Sequence, residues 1–248
     1  MRFVDAHCHL DQYPDPKAVA GGCEESQTYT IAVTNLPRAF PNTQRLAGDR
    51  QFVRAAVGLH PELVAQQSDA VHDLLTLIEE TKYVGEVGLD YTKADAETRR
   101  LQREVLGRVF ERCEALGGKV ITIHSRRAAD DVLDLATSLR RSTVILHWFS
   151  GSAKALARGV AMGCFFSVNP AMMRSATGRS VIAAVPEDQL LTETDGPFVQ
   201  HTGRPMYPFE MTSFLPTLAE LRGVTTAALR LRILRNFARA VTLEDNAR

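Results

Sequence analysis

Eight short runs rich in β-branched and apolar residues recur along the chain with helix-like segments between them, and this alternation constrains the fold more than any other feature. The runs are FVDAHCH (3–9), TYTIAVTN (28–35), FVRAAVGLH (52–60), KYVGEVGLD (82–90), KVITIHS (119–125), STVILHWFS (142–150), CFFSVNP (164–170) and QLLTETDGP (189–197). Several are nearly continuous apolar stretches, as expected of parallel strands covered on both faces. Helical patterns fill 95–117, 127–140, 152–162 and 173–185, and two more (209–222 and 225–242) follow the last run; 11–25 reads as a loop and a short helix. Such alternation points to a parallel α/β barrel or a large doubly wound sheet. The 248 residues match one barrel of roughly 250 residues. No low-complexity linker or compositional break divides the chain, so a single domain over 1–248 is expected.

The ends of these runs carry the chemistry. The first gives Asp5-Ala6-His7-Cys8-His9, and residues two apart on a strand project to one side, so His7 and His9 can bind one metal. The third ends in Gly58-Leu59-His60-Pro61, and the fourth in Gly85-Glu86-Val87-Gly88-Leu89-Asp90. The fifth ends in His124-Ser125-Arg126, the sixth in His147-Trp148-Phe149-Ser150-Gly151, and the eighth in Glu193-Thr194-Asp195-Gly196-Pro197. Six of eight strands thus finish on a potential metal ligand, at the face where barrel enzymes build their sites. Five of the seven histidines fall at those ends, more than chance placement explains.

Composition excludes several classes. Lys+Arg and Asp+Glu balance at 29 each, so no global basic field advertises a nucleic-acid partner, although bound metal can supply positive charge locally. The cysteines Cys8, Cys23, Cys113 and Cys164 form no CxxC pair, which fits a reduced, cytoplasmic chain. The N-terminal residues do not read as a signal peptide. No window approaches the ~18 apolar residues of a membrane span.

The ordered blocks DAHCHLD, GLHP, GEVGLDY, IHSR, HWFSG and ETDGP, over residues 5 to about 197 with an echo in Asn236-Phe237, resemble the TatD family of metal-dependent deoxyribonucleases, members of the amidohydrolase-like barrels. The resemblance implies a (β/α)₈ TIM barrel and a hydrolase of phosphodiester bonds. It also implies two divalent cations (Zn²⁺, Mn²⁺ or Mg²⁺), one on His7, His9 and Asp195, the other on His124 and His147, with Glu86 bridging. The metals would polarise a phosphoryl oxygen and activate water, with Asp195 the proton acceptor. Two ions less two carboxylates would leave a locally cationic pocket. HCHLDQYPDP, IHSRRAADDVLD, LHWFSGS, FFSVNPAMMRS and GRPMYP are also similar to the TatD-like component of Qat anti-phage systems, which implies a defence role and defence-protein partners. The segment PFVQHTGRPMYP departs from the family's usual basic, Asn-containing loop and leaves substrate preference open.

Other residues carry lesser expectations. His60 touches substrate or braces the site. Arg126 offers a planar fork to a phosphate. Trp148 and Phe149 are candidates for stacking a base, or core. Asp90 and Ser125 suit a supporting layer. His72 and His201 take no role, and Arg230, Arg232, Arg235 and Arg239 read as the exposed side of the last helix. Single-stranded DNA trimmed from its 3′ end is the substrate expected. Two alternatives stand beside it: another barrel hydrolase acting on a small molecule, and a defence-complex scaffold that binds partners. Many small-molecule relatives bridge their metals with a carboxylated lysine where this chain has Glu86, and a scaffold would be expected to lose ligands.

Overall fold

A computed structural model describes residues 1–201 and 203–242. The last six residues of the expected 1–248 domain, and Thr202 within PFVQHTGRPMYP, lie outside the described residues. Eight strands form one sheet in sequential order: β1 Phe3–Cys8, β2 Thr28–Ala32, β3 Val53–Val57, β4 Tyr83–Gly88, β5 Lys119–His124, β6 Ser142–His147, β7 Phe165–Val168 and β8 Leu190–Thr192. Each consecutive pair is parallel. Bonds across the last seam bring β8 back to β1: Thr192 Oγ1 donates to Val4 O, Asp195 N to His7 O and His9 N to Gly196 O, at 2.7, 2.9 and 2.8 Å. The barrel therefore nearly closes, which resolves the choice between barrel and open sheet.

All eight expected runs are strands, each ending one to five residues before the run does. His9, His60, Asp90, Trp148 and Asp195 lie in the trimmed ends, whereas His7, Glu86, His124 and His147 are strand residues. The helices are α1 Pro16–Glu25, α2 Phe40–Ala47, α3 Ala70–Leu77, α4 Ala96–Leu116, α5 Ala129–Ala136, α6 Ala153–Ala161, α7 Ala176–Ala184, α8 Met211–Leu221 and α9 Thr226–Val241. Asp15, Asp95, Ser152, Ser175 and Thr225 cap five of them, each accepting from a backbone N–H three residues on. α2 and α3 are not among the expected helices; with eight residues each, they have too few turns for a helical period to stand out.

β1 to β7 are buried almost throughout, and residues such as Ala6, Ile31, Val57, Ile121, Leu146 and Phe166 are at most 1% exposed. This two-sided burial explains their continuous apolar character. On α9, Asn236 Nδ2 donates to Glu187 O and Leu190 O, both at 2.8 Å. The Asn236-Phe237 echo thus pins the last helix to the start of β8. Two short antiparallel strands, β9 Gln200–His201 and β10 Arg204–Pro205, follow β8. Tyr13 stacks on Tyr207 at 5.0 Å, and its hydroxyl donates to Met206 O. No helix among the described residues is long and apolar enough to cross a membrane.

Candidate metal centre

The ladders break where the site begins. The β1–β2 register shifts between Asp5 and Cys8, and the β4–β5 register between Val84 and Val87. His7 and Glu86 lie inside these irregularities, which re-aim side chains that a regular pleat would send elsewhere. Around Glu86, two glycines make this possible. Gly88 sits at φ +148°, where an added Cβ would fall 2.0 Å from His124 O. A Cβ on Gly58 would fall 2.3 Å from Glu86 N, so strand β3 can lie against the Glu86 backbone only as glycine.

Glu86 is 2% exposed and reaches all five histidines expected at the strand ends. Its Oε1 lies 2.7 Å from His124 Nδ1, 3.0 Å from His147 Nε2 and 3.6 Å from His60 Nε2. Its Oε2 lies 3.2 Å from His9 Nε2 and 3.7 Å from His7 Nε2. Asp195 Oδ1 stands 3.4 Å from His9 Nε2 and 3.7 Å from His7 Nε2, and the two imidazole nitrogens are 3.3 Å apart. His124 Nδ1 and His147 Nε2 are 3.5 Å apart, and the His7 and His147 rings stack at 3.8 Å.

These spacings fit metal. Ligand atoms about 2.1 Å from a shared ion stand roughly 3.0–3.5 Å from one another, and both trios, His7–His9–Asp195 and Glu86–His124–His147, fall in or near that range. Neutral imidazole lone pairs facing each other at such distances repel unless a cation or a proton lies between them. His7, His9 and Asp195 form one potential ligand group; His7, Glu86 and His147 form a second, and His60, Glu86 and His124 a third.

Supporting contacts fix the ring orientations. His7 Nδ1 pairs with Thr122 Oγ1 at 2.7 Å, and His124 Nε2 with Asp90 Oδ2 at 2.8 Å, which turns the other nitrogen of each ring toward the centre. Glu193, fully buried, accepts from Ser167 Oγ, from Asn169 Nδ2 at 2.8 Å and from Trp148 N at 3.2 Å, with His147 Nδ1 3.5 Å away. Asp5 accepts from Thr194 N at 2.9 Å and Thr194 Oγ1 at 2.5 Å, and from His7 N at 3.3 Å. The expected supporting role of Asp90 is thus joined by Glu193, Asp5 and Thr122, which the sequence reading had not singled out. Ser125 lines the cavity above them.

This inner layer corrects the charge balance. Asp90 and Glu193 join Glu86 and Asp195, so four carboxylates stand at or beside the histidines rather than two, and two divalent ions bound there would leave the pocket near neutral rather than cationic. Burial pushes the deeper Asp5 up to about 7. Arg126 is the exposed cation lining the cavity.

The carboxylates also hold protons on the histidines. Burial opposes charge on His9, but Asp195 and Glu86 outweigh it and lift its pKa to about 9. Burial likewise opposes charge on His147 and His124; Glu193 with Glu86 raises the first well above its ordinary value, and Asp90 with Glu86 raises the second. Burial lowers His7 and His60. Glu86 is driven well below the carboxylate range, since the nearby histidines overcome the opposing effect of its burial. The raised pKa of His9 means that its proton stabilises the metal-free fold fully below ~6.5, and that this contribution is lost as pH rises through about 9. Ligation needs that proton gone. Calorimetric metal titrations near pH 8 in buffers of different ionisation enthalpy should therefore show about one proton or more released per ion, with tighter binding as pH rises. Binding heats that do not depend on the buffer would contradict histidine ligation.

The site opens into a cavity of ≈ 530 Å³ lined by Glu86, His124, His147 and Asp195, with His60, Arg126 and Trp148 around them. The structure thus brings every expected site residue to one place, with His7 buried beneath the others. Phe149 is the exception among the stacking candidates: it is 1% exposed and packs edge-on against Phe166 at 5.5 Å. Phe198, which the sequence reading passed over, lines the cavity, with its ring 4.9 Å from His9. His72 and His201 lie outside the cavity lining. On α9, Arg232 pairs with Glu187, and Arg239 lies 3.8 Å from Asp188.

Known proteins resemble this chain over most of its length. A family model described as TatD-related DNase matches residues 4–242. The uncharacterised metal-dependent hydrolase YjjV of Escherichia coli K12 is 30% identical, with 95% of this chain and 96% of that protein covered. Its crystal structure superposes with a TM-score of 0.85 at 27% identity, covering 96% of this chain and 97% of the other. Human deoxyribonuclease TATDN3 is 30% identical over 79% of this chain and 78% of its own length.

Proposed function

This chain belongs to the TatD-related DNases, metal-dependent hydrolases of ester bonds, and from that premise we propose that it hydrolyses phosphodiester bonds at the unpaired 3′ end of single-stranded DNA. The observation that carries this reading is the convergence of His7, His9, Glu86, His124, His147 and Asp195 at the floor of a cavity on whose wall Arg126 stands. His7, His9 and Asp195 would hold one divalent cation, and Glu86, His124 and His147 a second, with Glu86 touching both groups. Zn²⁺, Mn²⁺ and Mg²⁺ all suit a donor set of nitrogen and carboxylate oxygen. Such ions polarise a phosphoryl oxygen and acidify a water.

The remaining steps fall to the chain's own groups. Asp195 accepts the proton of the attacking water, since its carboxylate faces the cavity beside His9. His60 Nδ1 accepts from Glu62 N at 3.2 Å, so a neutral ring carries its proton on Nε2. That nitrogen stands on the cavity wall, 3.6 Å from Glu86 Oε1, where its N–H can donate to a phosphoryl oxygen, and a protonated Nε2 favours substrate contact for His60 over ligation. Arg126 presents two parallel donors to the next phosphate, and Trp148 an exposed ring to a base. A concave site with ligands at its floor admits a frayed end more readily than a duplex backbone. The near-neutral chain, with Arg126 as the cavity's arginine, supports weak and distributive binding. The likeness to the Qat component supports a defence role with partner proteins in the cytoplasm.

A gel assay with end-labelled single strands, blunt duplexes and covalently closed circles tests the reading. Linear single strands should shorten from the 3′ end while circles persist. Equal cleavage of circles would replace it with an endonuclease, and no cleavage of any polymer would move the substrate to a small phosphodiester.

A further inference from the structure

We propose that Trp148 and Phe198 form a pair of stacking surfaces that recognise a nucleobase on the strand entering the site, with Phe198 a specificity-determining residue. The inference rests on the nucleic-acid reading above and deepens it. Among the described residues the large hydrophobic side chains left exposed are Met1, Leu116, Trp148, Phe198 and Leu231; the two aromatic ones, 37% and 56% exposed, both line the cavity above the metal ligands. A folded chain gains nothing by leaving aromatic faces in water, so two of them on one concave wall mark a surface that a flat apolar group covers.

Their placement is built rather than incidental. Trp148 follows β6 and takes φ +38°, uncommon for a bulky residue, with its N–H donated to buried Glu193 at 3.2 Å. Phe198 follows β8; its N–H donates to Asp195 O at 3.0 Å, and its ring meets His9 edge-on. Each aromatic is therefore tied to a residue of the site itself. Arg126 follows β5, so one arc of the rim, from β5 to β8, carries a cation and two ring faces. A phosphate next to a flat base matches that arc, whereas a simple phosphodiester without a base leaves both rings uncovered.

The test compares the metal-loaded protein on a short oligothymidylate and on the same strand with base-less sugars at its 3′ end. The wild type should prefer the base-bearing strand in kcat/KM by about tenfold or more. That ratio should fall toward one in both Phe198→Ala and Trp148→Ala, and return in Phe198→Trp. Trp148 is the chain's only tryptophan, so its fluorescence reports contact directly. A slowly hydrolysed phosphorothioate strand should quench it saturably, and the base-less strand should not. Equal rates and equal quenching by both strands would overturn the stacking pair while leaving a nuclease. So would a preference unchanged in both alanine variants. A wild type that cleaves neither strand would remove the nucleic-acid reading and this inference together.

Discussion

Replacing Asp195 by asparagine is expected to lower turnover by roughly 10²–10⁴-fold in a protein that still folds. The fold should survive because the bonds by which Asp195 holds the barrel run through its backbone, while its side chain adds only part of the charge that keeps the His9 proton in the metal-free state. Its N–H donates to His7 O at 2.9 Å across the seam that closes the barrel, and its carbonyl accepts from Phe198 N and Val199 N at 3.0 and 3.2 Å. Its φ of +48° lies in the left-handed region, which asparagine tolerates as well as aspartate does. The side chain alone changes. The carboxamide keeps the shape but loses the negative charge facing His7 and His9, and it no longer accepts a proton. Circular dichroism should be unchanged, and kcat measured on a single-stranded oligonucleotide should collapse. Wild-type turnover in a folded variant would show that the proton acceptor lies elsewhere.

Much of this site was legible in the sequence because a parallel barrel converts strand ends into neighbours. Each of His7, His9, Glu86, His124, His147 and Asp195 ends an apolar run, and the topology gathers run ends at one face whatever the intervening helices are. What stayed hidden is the layer beneath. Thr122 is one threonine inside a buried strand, and nothing in its spacing says that its hydroxyl meets His7 Nδ1. Glu193 offered a usable signal: Ser167 and Asn169, two residues apart along the β7 run, share a face and both bond to it. Phe198 was missed for a different reason. Its exposure follows from the turn that Asp195 begins, and a ring after a Gly-Pro pair reads equally well as core. The register shift around Glu86 has no sequence signature beyond its flanking glycines, and the one around His7 has none, so the choice of side chains that face inward could be expected but not its geometry.

The second large effect should come from Glu86→Gln, through metal content. Glu86 is the carboxylate that both ligand groups approach, with one oxygen toward His124 and His147 and the other toward His9 and His7. Glutamine preserves volume, and its amide can still exchange hydrogen bonds with His124 and His147, so Gly58 and Gly85 need not move. The charge between the groups is lost. His124 and His147 then have no shared anionic partner, whereas His7 and His9 keep Asp195. Elemental analysis after gentle reconstitution should find about two divalent ions per chain in the wild type and no more than about one in the variant. Hydrolysis should drop at least about a hundredfold, beyond the loss typical of disturbing a supporting residue. The two readouts separate the possible errors. A wild type that never exceeds one ion would eliminate the paired site, and a variant with full metal content and full turnover would show that Glu86 stands among the histidines without serving as their common ligand.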